Sequence, residues 1–154
     1  MGFAAYPIPG FQEPVSCLTH LIAAVVFAVV GARLVRRGRP NPCRMASLAV
    51  LAISTVFLLS MSAVYHLLGP GSNRSVMRQL DIAGVFVLIA GTATPIHVIL
   101  FKRWACWAPL LLMWSVAATG ITLRAIFEES LPPYLGTGLF LAMGWCGAVP
   151  SIVL

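Results

Sequence analysis

A chain of 154 residues that is 60% hydrophobic and only 9% charged has too few ionic side chains for the outer faces of a soluble helical bundle. Its net charge of +6 would point to nucleic acid in a soluble protein, but the cations here sit at the ends of apolar runs, so nucleic-acid binding is excluded. Almost no sequence is left over for a separate soluble domain, and the chain reads as one membrane unit.

Five stretches without Asp, Glu, Lys or Arg run from Pro14 to Ala32, Met45 to Asn73, Ile82 to Phe101, Trp104 to Leu123 and Ser130 to Leu154. A helix needs roughly 20 apolar residues to cross a hydrocarbon core, whereas a membrane strand alternates apolar and polar over about ten. The fold class is therefore all-α, a polytopic integral membrane helix bundle. Helices are expected near 14–35, 45–68, 81–101, 104–125 and 134–154.

Taken in chain order, the first helix opens at Glu13-Pro14, a combination suited to capping free backbone N–H groups, although Glu13, Ser16 and His20 also share one stripe. Gly38-Arg39-Pro40-Asn41-Pro42 makes the first turn and carries arginines at 33, 36, 37, 39 and 44 around it. On the second helix Ser62 and His66 lie four apart and project from one face. The sharp Gly69-Pro70-Gly71 turn, followed by Arg74 and Arg78 in the loop, returns the chain with Asp81 at the head of the third helix, at the same depth as His66.

His97 falls near the interface, beside Lys102 and Arg103, and is expected to be incidental. Arg124 precedes Glu128 and Glu129 in the fourth connection, which Leu131-Pro132-Pro133 closes. Pro95, Pro109 and Pro150 lie within apolar runs, where neighbouring helices must satisfy freed carbonyls. The cysteines at 17, 43, 106 and 146 lack the close spacing of a zinc knuckle or redox pair. Basic loops stay cytoplasmic, so the first and third loops are expected inside and the N-terminus outside. The arginines themselves read as snorkelling anchors at the headgroup level.

An ionisable side chain in a bilayer is costly, which singles out His66 and Asp81. An imidazole beside a carboxylate is half of a metal site, or equally a hydrogen bond that fastens a helix pair. These residues alone leave both readings open.

The ordered strings Glu13-Pro-Val-Ser-Cys-Leu-Thr-His20, Ser62-Ala-Val-Tyr-His66, Leu80-Asp81 and Ala90-Gly-Thr-Ala-Thr-Pro95 resemble the haemolysin III family, also called the progestin and adipoQ receptor family. The resemblance continues to Met143-Gly144-Trp145. It implies a seven-helix core, of which five helices are present here, and a bacterial-type plasma-membrane location. It also implies a likeness to alkaline ceramidases, and so a zinc-dependent hydrolase of lipid amides. In that reading His66 is a zinc ligand, Ser62 its neighbour and Asp81 the holder of a zinc-bound water, with Glu13, Ser16 and His20 as a first-helix motif in structural support.

The family's last helix contributes a His-x-x-x-His pair, and no two histidines of this chain are four apart. The apolar run Ala148-Val-Pro-Ser-Ile-Val-Leu154 ends without a polar tail, as a truncated sequence would, and catalysis is expected only where that last helix is present. The alternatives are a non-enzymatic receptor or a pore-forming haemolysin. Against a pore, Val85 to Ala90, Leu110 to Met113 and Leu139 to Met143 are apolar nearly all round. The receptor branch of the family has its N-terminus inside, opposite to the orientation that the arginines give here. The partners implied are membrane lipids, including a lipid amide, and the oligomeric state is not legible.

Overall fold

The computed structural model describes residues 11–127 and 133–152, with the side chains of 133–135 and 148–152 outside that description. Five helices follow one another: α1 (Pro14–Arg37), α2 (Pro42–Leu67), α3 (Ser72–Leu100), α4 (Trp104–Ile126) and α5 (Pro133–Ile152). No strand occurs among the described residues. The first four are each long and apolar enough to span a membrane. Glu128, Glu129, Leu131, Pro132 and the last two residues lie outside the described residues.

Local chemistry sets the boundaries. Pro14 and Pro42 occupy the first turns of α1 and α2, where a missing N–H costs nothing, and the Asn41 side chain accepts a 3.0 Å bond from the Arg44 N–H. The third helix starts at Ser72, nine residues before the expected 81. Once Gly71, at φ 154, has turned the chain, nothing from Ser72 onward opposes helix. Arg74 and Arg78 are thus helical residues rather than loop residues, and Asp81 lies in the helix interior rather than at its head.

The helices pack as antiparallel neighbours: α2 lies between α1 and α3, α4 packs on α3, and α5 rests on α3 and α4. Among the described residues the body of α1 packs on α2 alone. Cys17, Ala24 and Gly31, seven apart, form its buried stripe, and a Cβ at Gly31 would stand only 2.7 Å from that of Ala52. The α2–α3 contact is equally close, with Gly84 against Leu58 and Gly91 against the Ser54 hydroxyl. Small residues let backbones approach where lipid supplies no hydrophobic drive for association. Gly144, also a candidate for such an approach, has open space around it.

The apolar core lies between α3, α4 and α5. Phe86, fully buried, packs with Ala90, Ala117 and Met143 and stacks obliquely on Phe140 at 4.5 Å between ring centroids. A second cluster joins Ala93 to Cys106, Leu110 and Met113. The outer faces are apolar as well, with Val15, Ile22 and Val25 on α1 and Leu111 and Leu112 on α4 all exposed. Such surfaces suit acyl chains rather than water.

Candidate functional site

At the end of the bundle where α1 begins, α2 ends and α3 begins, the chain gathers most of its intramembrane polar chemistry. The chain just before α1 runs along the end of α2, where the Gln12 N–H donates to the Leu67 carbonyl at 3.3 Å and the Glu13 N–H to that of His66 at 3.0 Å. These bonds fix Glu13 against His66.

The Glu13 side chain does not cap its helix. One carboxylate oxygen accepts a 2.8 Å bond from His66 Nδ1–H and the other a 2.8 Å bond from Arg74. The capping role expected from the sequence is therefore replaced by a clasp that joins three helices. Its cause is register: Glu13 meets its two partners across 53 and 61 residues, a distance no local spacing encodes.

Arg74 is shared further. It donates to the Leu68 carbonyl, one of the unpaired carbonyls at the end of α2, and its guanidinium lies 4.5 Å over the Tyr65 ring. The Arg74 bond is the main influence holding the Glu13 carboxyl below its ordinary value; partial burial opposes it, and His66 adds to the lowering. This arginine, expected to be a loop anchor, is the residue that sequence reasoning missed. The signal available was its position three residues past Gly71, inside the first turn of a helix that could start at once.

His20 completes the cluster. Its Nδ1–H donates to the Ser16 carbonyl at 2.7 Å, so Ser16 contributes main chain rather than hydroxyl to the arrangement, and its ring stacks on that of His66 at 5.4 Å. Both imidazoles thus have Nδ1 engaged, which leaves each Nε2 with its lone pair.

Ser62 is buried one turn along α2 from His66. Gly84 on Leu58 and Gly91 on Ser54 show that the part of α3 following Asp81 packs along α2. The carboxylate that His66 meets is Glu13. Asp81 lies seven residues from Arg74 and so on the same stripe of α3. Among the described residues Asp81 makes no ion pair, and no three His, Cys, Asp or Glu side chains converge as a metal-binding group.

His97 is far from incidental in its setting. It is completely buried at the opposite end of α3, where its Nδ1 bonds the Ala93 carbonyl at 3.0 Å and its ring stacks on Phe101 at 5.3 Å, while Nε2 has no partner among the described residues. This histidine lies in the last turn of α3, near the end of the span as expected, but is enclosed by protein rather than exposed there. The described cysteines are all free thiols.

Residues 11–154, from just before Glu13 onward, match the family model described as Haemolysin-III related. The chain belongs to the haemolysin III family. It is 26% identical over 140 residues to the Hemolysin-3 homolog of Bacillus subtilis, a match covering 87% of this chain and 63% of that protein. To Hemolysin-3 of Bacillus cereus it is 25% identical over 136 residues, covering 87% and 62%. The chain thus spans less than two thirds of the length of these relatives. No solved structure matches it. Membership of the family and four apolar helices make it an integral membrane protein of haemolysin III type.

Proposed function

We propose that this protein is a membrane-embedded, zinc-dependent hydrolase of lipid amides, with His66 as a metal ligand held in place by Glu13. The supporting observation is the 2.8 Å bond from His66 Nδ1–H to the Glu13 carboxylate. A carboxylate on one ring nitrogen fixes the tautomer, raises the basicity of the other and orients it, as carboxylate–histidine pairs do for metals.

The donor chemistry of His66 fits zinc, and the described residues supply only a corner of such a centre, because a catalytic zinc takes about three protein ligands. Two further imidazoles, the pair implied by the family resemblance, would complete it. Bound there, zinc would acidify a water and polarise an amide carbonyl.

The chain's own residues have separate duties. Glu13 positions the His66 ring, Arg74 keeps Glu13 ionised, and Asp81 would hold or accept a proton of the attacking water. A lipid substrate would reach them sideways from the bilayer.

In the purified protein, elemental analysis should find zinc that is lost in His66→Ala, together with zinc-dependent cleavage of a ceramide-type amide. Wild-type protein without zinc, or a His66→Ala variant that retains both metal and cleavage, would overturn the proposal. The name Hemolysin-3 carried by the relatives favours a second reading, a lytic membrane protein. That reading predicts lysis of erythrocytes that survives His66→Ala.

A further inference from the structure

Among the described residues, the end of the bundle opposite the Glu13 clasp carries seven basic residues and no acid. Arg33, Arg36 and Arg37 close α1, Arg39 and Arg44 flank the start of α2, and Lys102 and Arg103 join α3 to α4. All seven side chains are exposed, and none forms an ion pair among the described residues. The chain's four acids lie elsewhere: Glu13 and Asp81 toward the other end, and Glu128 and Glu129 beyond α4 in sequence.

Helix stabilisation accounts for only part of this charge. Arg36 and Arg37 stand in the last turn of α1, where a cation complements the helix dipole. Arg44 in the first turn of α2 and Arg103 at the N-cap of α4 stand where the dipole repels a cation. No acid among the described residues pairs with either of them.

We infer that this basic end binds the headgroups of anionic phospholipids. Depth selects lipid over other anions: each cation lies at the end of an apolar span, where phosphates of the adjoining leaflet are found. Trp104 and Trp107, 81% and 57% exposed on the first turn of α4, sit beside them as amphipathic rings of the kind that settle at the membrane interface. The surface is independent of the clasp and of any hydrolytic activity.

The test uses the same tryptophans. Wild-type protein and a Trp114→Phe/Trp145→Phe background are reconstituted into phosphatidylcholine vesicles containing brominated phosphatidylglycerol or brominated phosphatidylcholine. Quenching of Trp104 and Trp107 then reports which lipid occupies the basic end. At low ionic strength the anionic lipid should be preferred by about fivefold or more, the factor for a single cation near an anionic surface. The preference should shrink toward unity at about 1 M salt, where the screening length is about 3 Å.

The variant Arg39→Gln/Arg44→Gln, which keeps three arginines on α1 to hold orientation, should show a smaller preference than the wild type. Equal quenching by the two lipids, a preference indifferent to salt, or one unchanged in that variant would overturn the inference. Competition by millimolar inorganic phosphate would overturn it too, by pointing to a site for the free ion.

Discussion

Glu13 has two oxygens and spends both on fixed partners, His66 on α2 and Arg74 on α3. Because its carboxyl is held below the ordinary value of 4.5, chiefly by Arg74, the clasp contributes stability that is fully present above that value. It is lost as pH falls through the depressed folded value. The thermal midpoint in detergent should therefore stay level from neutrality down to about the ordinary carboxylate range and decline below it. Glu13→Gln should lower the midpoint at neutral pH by a few degrees and flatten that decline; an unchanged acid limb would refute the role given to Glu13. His66 was legible from the Ser62-x-x-x-His66 spacing, as was the interest of Glu13. Their pairing was not, since spacing within a helix says nothing about which residue of another helix arrives beside it. Asp81 was the nearer candidate by turn length, yet the bond is made to Glu13, which the main chain before α1 holds against His66.

Elements were easier to read than contacts between them. Continuous apolar runs placed α1, α2 and α4 to within a few residues, because bilayer thickness sets helix length directly. The start of α3 was misplaced because polar residues from Ser72 to Gln79 read as loop, although they form helix that stands clear of the apolar run. That error concealed Arg74. The packing also depends on glycines whose partners no sequence pattern names. A Cβ at Gly120 would stand 2.6 Å from the Phe86 ring, which is itself fully buried and has nowhere to move. Gly120→Ala should thus cost about 1 to 3 kcal/mol as overpacking, and Phe86→Ala about 3 to 5 kcal/mol as a cavity. Thermal or denaturant unfolding in micelles would check both, and a neutral Gly120→Ala would show that α4 can shift away from α3.

Across the described residues charge is unevenly placed: seven of the ten cations gather at one end, where no described acid lies. The positive-inside rule predicts that the basic end faces the cytoplasm. Cys43, exposed at that end, offers a native probe, and a membrane-impermeant maleimide should label it in inverted vesicles but not in right-side-out ones. Labelling only from the outer face would reverse the assignment and agree with the receptor branch of the family.

The clasp also has an order in time. Glu13 emerges 61 residues ahead of Arg74, so during synthesis its charge must wait, hydrated at the membrane surface, until two helices have been threaded and a third begun. Since the body of α1 packs on α2 alone among the described residues, the arrival of Arg74 is what joins the start of α1 directly to α3. The ion pair therefore works as a latch that shuts only when the three-helix unit is complete.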